Sequence, residues 1–153
     1  MGTHHTGTPR EILALNGFIK LVRATDSVNA HLSRHIEAAG LTMGQFGVLE
    51  ALLHLGPMRQ RDLGAKLLRS GSNVTMVLDN LERRGLVRRA RRTDDRRAIE
   101  VTLSPGGRRL IAGLFPAHAR RITRLFGVLS ARDQRRLAAL CKTLGLHISG
   151  GDA

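Results

Sequence analysis

The sequence contains no tryptophan and no tyrosine, and only four phenylalanines among its 153 residues. A core must therefore be built from leucine, valine, isoleucine and alanine, which the 42% hydrophobic content supplies. The shortage of aromatics argues against stacking of single-stranded bases on aromatic platforms as the main activity. There is one cysteine, Cys141, and one thiol forms no internal disulfide, so a reducing cytoplasm is the expected location. The N-terminal MGTHHTGTPRE lacks the apolar centre of a secretory signal, and no stretch approaches the roughly 18 apolar residues needed to span a bilayer. Enzyme motifs are missing as well. There is no glycine-rich phosphate loop, no nucleophile elbow and no paired-carboxylate motif, and Gly106-Gly107 behind Pro105 reads as a turn at a helix start. No catalytic residue, cofactor or resident metal is expected. Acids are scarce too: 12 Asp and Glu face 25 Lys and Arg, leaving a net charge of +13.

A basic excess of this size favours a polyanionic partner, either nucleic acid or an anionic membrane. Only three of the 25 cations are lysine, which points to a coding bias toward arginine. That bias does not account for the excess over acids or for its clustering. From Arg83 to Arg97, eight of fifteen residues are arginine, opposed within the stretch by Asp94 and Asp95, so the segment holds +6 of the +13. Like charges packed this closely repel unless an anion lies against them. The stretch carries no apolar anchors at its centre, which disfavours the membrane.

Helix punctuation is clear along the chain. Thr8-Pro9-Arg10-Glu11 reads as an N-cap, a proline at the first helical position and an acid three residues past the cap. Ile12, Leu15, Ile19, Val22, Val28, Leu32 and Ile36 then recur at helical spacing as far as Gly40. A helix this long in a small protein often packs against a partner chain. Thr42-Met43-Gly44-Gln45 opens a second helix, which Gly56-Pro57 stops. A short helix over Gln60 to Leu67 precedes another from Ser70 to Arg84, which Gly85 ends. The period then changes: Leu86 to Arg89 and Ile99 to Leu103 read as strands joined by a charged hairpin. Ser104-Pro105 restarts a helix in which Pro116 should produce a kink, and Ser130 to Asp133 caps a last one with Leu137, Leu140 and Leu144 in line. Cys141 beside that stripe is expected to be a buried thiol. The expected fold is mainly α with a small β-hairpin wing: a winged helix-turn-helix over residues 41–103, with helical regions at 10–40 and 104–148.

On the helix from Ser70, the apolar Val74, Val77, Leu78 and Leu81 share one face. Ser70, Ser72, Asn73, Thr75, Met76 and Asn80 are the candidate DNA-reading residues, with Arg83 at the helix end. Short polar groups in the first turns suit a helix that enters a major groove. The hairpin behind it can place arginine in a minor groove, with Arg91, Arg92, Asp95, Arg96 and Arg97 as candidates. A non-specific, architectural DNA-coating protein would share these charges. His31 and His35 sit four apart on one helix face, a spacing that can bind a metal, but no complete ligand set accompanies them. With Arg34 and Phe46 they form the candidate site for an anionic small molecule, and a metal-responsive repressor is the alternative.

The run Asp95-Arg96-Arg97-Ala98-Ile99-Glu100-Val101-Thr102-Leu103-Ser104, with Gly107 following, resembles the wing of the MarR family of bacterial transcription regulators. Val74-Thr75, Leu81-Glu82-Arg83-Arg84-Gly85-Leu86-Val87 and Gln60-Arg61-Asp62-Leu63 match it in order and spacing. The resemblance covers roughly residues 10 to 148. It implies a homodimer whose first and last two helices interleave as a dimerisation domain. It further implies recognition helices in successive major grooves of a pseudo-palindromic operator, wing arginines in minor grooves, and repression relieved by a small, often aromatic and anionic effector. Two positions depart from the family pattern. Met76 stands where an arginine often follows the Val-Thr pair. Arg59 stands where Ser or Thr often caps the short helix, a loss worth roughly 1 kcal/mol.

Overall fold

The computed structural model describes residues 2–67, 71–95 and 97–149. In chain order the elements are α1 (Pro9–Ala38), α2 (Met43–Leu55), β1 (Met58–Arg59), α3 (Gln60–Lys66), α4 (Gly71–Arg83), β2 (Val87–Arg91), β3 (Ile99–Leu103), α5 (Pro105–Phe126) and α6 (Ala131–Ser149).

The caps that the sequence advertises set the helix starts. Thr8 Oγ1 accepts the Glu11 N–H at 3.3 Å while Glu11 Oε2 accepts the Thr8 N–H at 2.7 Å. Thr42 and Gln45 close the same reciprocal box on α2, at 3.2 and 3.0 Å. Arg59 at the start of α3 supplies no side-chain cap, as its residue type implies. Helix α4 ends in a left-handed turn: Gly85 has φ +67°, its N–H reaches Glu82 O at 2.9 Å, and Leu86 N–H reaches Leu81 O at 2.9 Å. These bonds satisfy carbonyls that a helix end leaves without partners. Helix α5 runs through Pro116 without ending.

The sheet has the order β1-β3-β2, antiparallel throughout. The hairpin is in register with Val87 opposite Leu103 and Arg89 opposite Val101. Expectation and structure differ here in two ways. The first hairpin strand is displaced, beginning at Val87 and running to Arg91. A third strand, Met58–Arg59, pairs Met58 with Val101 and Arg59 with Glu100. Two residues carry no readable alternation, so this strand is defined by its neighbour alone.

The chain divides into two compact units, Met1–His118 and Ala119–Ala153. The core of the first draws on Ile36 of α1, Leu49 and Leu52 of α2, Leu63 of α3, Leu78 and Leu81 of α4, Val101 of β3 and Ile111 of α5, all essentially without solvent contact. Each such side chain contributes about 1.5–3 kcal/mol through burial. Ser104 fastens the end of the wing to the end of α4. Its Oγ donates to Gly85 O at 2.6 Å and accepts from Gly107 N–H at 2.9 Å, and its own N–H reaches Leu86 O at 3.1 Å. In the second unit Ser130 caps α6, accepting the Asp133 N–H at 3.2 Å. The stripe Leu137, Leu140 and Leu144 on α6 is exposed in the single chain, and so is Cys141, which corrects the expectation of a buried thiol. An amphipathic stripe shows that a face seeks cover, but not that its own chain supplies the cover. Leu13 and Phe18 of α1 are likewise exposed. Among the described residues no single helix is long and apolar enough to cross a membrane.

A Cβ on Gly107 would stand 1.9 Å from Leu86 O, whereas one on Gly113 would meet nothing within 4 Å. Gly107→Ala should therefore cost about 2–3 kcal/mol in urea unfolding, since backbone must give way. Gly113→Ala, in the same helix, should gain up to about 1 kcal/mol from helix propensity.

Candidate nucleic-acid interface

Helices α3 and α4 form the helix-turn-helix. Gln60 Nε2 at the start of α3 donates to Thr75 Oγ1 on α4 at 3.0 Å. The buried positions of α4 are Val74, Leu78 and Leu81, with Val77 half-buried. Thr75 and Met76 are exposed on the other side, and Asn73 is half-exposed. Asn80 has a different occupation: its Oδ1 accepts from Gln45 Nε2 at 2.7 Å, tying α4 to the capping residue of α2. It is a scaffold contact, which helical position alone could not reveal. Ser70 and Arg96 lie outside the described residues, and Ser72 lies on α4 with its side chain outside them as well.

The arginines from Arg83 to Arg97 divide into two groups. Three are built into the scaffold. Arg84 donates from Nη1 to Gly40 O at 2.9 Å. Arg89 is half-buried and grips two acids of α4. Its Nε and Nη2 reach Glu82 Oε2 at 2.9 and 2.7 Å, its N–H reaches Glu82 Oε1 at 2.9 Å, and Nη2 reaches Asp79 Oδ1 at 2.5 Å. The Arg89 side chain and N–H hold the Glu82 carboxyl below its ordinary pKa. Arg92, expected in a groove, forks onto Asp94 with two contacts of 2.8 Å and reaches Glu100 at 2.8 Å. Its guanidinium keeps Asp94 down at about 2. The acids opposing the cluster are thus Asp79, Glu82 and Glu100 as well as Asp94.

Arg83, Arg88, Arg91 and Arg97 are exposed, as is Arg84 despite its bond to Gly40. Asp95 shapes the hairpin tip. Its carboxylate accepts the Arg97 N–H at 3.0 Å and its carbonyl accepts the Ala98 N–H at 3.0 Å, so the acid of the Asp-x-Arg motif acts as a turn former. A cleft of about 620 Å³ separates α3 and α4 from this tip, lined by Arg59, Arg61, Arg97, Gln60, Val74 and Ile99 among others.

The candidate effector residues do not all meet. His31 and Arg34 are exposed on α1. Phe46 is buried, and its ring lies 4.4 Å from that of His118 at 48°. The partner of Phe46, His118, comes from α5. No local pattern marks it, because the contact joins residues of α2 and α5. His118 is 5% exposed, and its Nδ1 and the Nε2 of the half-buried His35 are enclosed without a partner among the described residues. Burial pushes the His118 pKa down, nearby His35 adds to this, and Glu50 opposes it. Among the described residues no group of three or more His, Cys, Asp or Glu is placed to hold a metal ion.

Comparison with known proteins bears on this geometry. The MarR family model matches residues 41–99, the segment from the start of α2 to the wing. The chain is 36% identical to the HTH-type transcriptional regulator YkoM of Bacillus subtilis over 88% of its own length and 87% of that protein's. It is 34% identical to the HTH-type transcriptional regulator MhqR of the same organism, over 88% and 92%. Among solved structures, BpsR of Bordetella bronchiseptica, whose DNA binding is regulated by 6-hydroxynicotinic acid, superposes with a TM-score of 0.73 at 28% identity. That match covers 82% of this chain and 95% of the other.

The neutral, enclosed His118 links folding to pH. Its pKa is depressed in the folded chain from an ordinary 6.5, so the unfolded chain takes up the proton first. Its contribution is complete above pH 6.5 and is lost as pH falls below that value. Thermal melts at pH 7.5 and pH 5 should show a smaller acid-induced drop in Tm for His118→Leu than for the wild type. An equal drop in both would show that His118 is not the group responsible.

Proposed function

The chain belongs to the MarR family of DNA-binding transcriptional regulators, which are not enzymes, and on that premise we propose that it is a homodimeric repressor of a pseudo-palindromic operator, released by a small organic acid. Residues 41–103 are assigned to DNA binding, and residues 10–40 and 104–148 to the contact with a second copy. The observation that carries the reading is the division of the arginines: Arg89 ties the wing to α4, Arg92 braces the wing internally, Arg84 ties the end of α4 to the turn before α2, and four others are exposed around this frame. A charge excess serving only solubility needs no such separation.

In this reading α4 enters a major groove with Asn73, Thr75 and Met76 leading, and Arg91 and Arg97 follow the adjacent minor groove. Two copies on one duplex place their α4 helices about one helical turn apart, roughly 34 Å. Leu13 and Phe18 on α1, and Leu140 and Leu144 on α6, are the apolar positions that a second copy would cover. The regulation of BpsR by 6-hydroxynicotinic acid supports an aromatic acid as effector. Such a ligand acts by preferring a state in which the α4 spacing differs, and it weakens DNA binding by its differential affinity for the two states. Phe46, His35 and His118 are the residues proposed to meet it, with His31 and Arg34 at the exposed end of the set.

A footprint on DNA flanking the gene tests the operator claim: a discrete block of about two helical turns is expected, and featureless coverage would indicate an architectural protein instead. Arg97→Ala should weaken binding and lower the slope of log K against log salt by about two units for the dimer, because each copy loses one phosphate contact. Arg92→Ala should change the slope less, since that guanidinium is already spent on Asp94 and Glu100. Leu140→Asp should leave the fold intact and convert a dimer to monomers in sedimentation, with loss of operator binding. A dimeric Leu140→Asp chain would refute the assignment of α6 to the interface.

A further inference from the structure

One residue on the outward face of α4 does not suit a polar surface. Met76 is 68% exposed. At about 100° per residue it lies roughly 160° around the helix from Val74 and Leu78, both of which are buried. No rotation of the helix buries Met76 and keeps those two inside. Its neighbours on the outward face are Asn73, Thr75, Asp79 and Arg83. A thioether donates no hydrogen bond and accepts only weakly, so Met76 gains nothing from phosphate oxygens or from the polar edges of bases. The apolar feature that a base pair presents in the major groove is the C5-methyl group of thymine.

We propose that Met76 is a specificity residue that packs against a thymine C5-methyl in each half-site. The inference rests on the reading of α4 as the recognition helix. The surroundings favour it. Asp79, one turn along the same face, has its carboxylate bound by Arg89 at 2.5 Å, an ion pair shared with Glu82 that reduces the repulsion DNA would meet beside Met76. An unbranched side chain with three rotatable bonds conforms to a methyl group whose position varies slightly with local DNA shape. Where a longer cation would bring a charge to the groove, this chain brings an apolar tip, and discrimination then depends on one methyl group.

The test uses the full chain and duplexes selected from a randomised pool. The wild type should return a consensus with one thymine per half-site that Met76→Ala does not require. Replacing that thymine by uracil removes only the methyl group. It should weaken wild-type binding roughly fourfold per half-site, the weight of one buried methyl, and leave Met76→Ala unaffected. A duplex with 5-methylcytosine at the same position should recover affinity relative to one with cytosine. Met76→Gln should move the preference toward adenine, whose N6 and N7 a glutamine amide can pair. Circular dichroism should be unchanged in both variants, since the side chain is exposed. Wild-type indifference to the methyl group, or an equal uracil penalty in Met76→Ala, overturns the inference and leaves operator recognition standing. A selection that returns no consensus overturns both.

Discussion

The contact on which the interface depends is the grip of Arg89 on Glu82 and Asp79. It joins β2 to the outer side of α4 by four hydrogen bonds, one from the backbone and three from the guanidinium. Its energy is modest: the acids are partly solvated, and pairs of this kind are worth about 1 kcal/mol or less each. Its consequence is geometric. Val87 and Val101 anchor the hairpin in the core and β1 pairs with β3. Arg89 adds a direct tie from β2 to α4, and Ser104 fixes the end of the wing to Gly85 and Gly107. Recognition helix and wing therefore present one surface to a duplex, with the relation between groove contacts set before binding. The same grip offsets one of the two negative charges that Asp79 and Glu82 place on α4, on or beside the side proposed to face DNA.

How much of this was legible in the sequence follows from the range of each interaction. Thr8 with Glu11, Thr42 with Gln45 and Ser130 with Asp133 are three residues apart, so their patterns fixed helix starts closely. Gly85 marked the end of α4 because only a residue tolerant of positive φ closes that turn without strain. The wing was visible as charge, but the partners of the charge were not. Arg89 meets Asp79 ten residues back, Arg92 meets Glu100 across the hairpin, and Gln45 meets Asn80 over 35 residues. Composition gave every arginine the same standing, and tertiary structure divided them. Asn80 illustrates the same limit, since a polar residue on an amphipathic helix reads as solvent-facing until another helix is placed beside it.

Cys141 and His118 fail to be read for opposite reasons. The stripe Leu137, Leu140 and Leu144 correctly marks an apolar face on α6, and the inference that Cys141 shares its burial assumed cover from the same chain. His118 carries no apolar signal, yet it is enclosed against Phe46, which holds an imidazole neutral in the interior of the first unit. An enclosed nitrogen without a partner costs free energy, and a ligand group able to exchange a hydrogen bond with it would recover part of that cost. The unsatisfied His118 Nδ1 and His35 Nε2 make this region more receptive to a polar ligand than the exposed His31 and Arg34.

The rigid tie between wing and α4 also constrains how any effector can act. If the wing moved independently, a ligand could silence the protein by displacing the arginine tip alone. With Arg89 and Ser104 in place, bending the wing away from α4 breaks hydrogen bonds at both ends at once. Moving the whole DNA-binding element breaks none of them. In the proposed dimer the softer coordinate is therefore the placement of one such element relative to its copy, which is the quantity that an operator with two half-sites would measure. In the proposed function, repression and release would then require only that DNA and effector prefer different values of that spacing. The exposed apolar positions on α1 and α6, far in sequence from the arginine cluster, are where that spacing would be set.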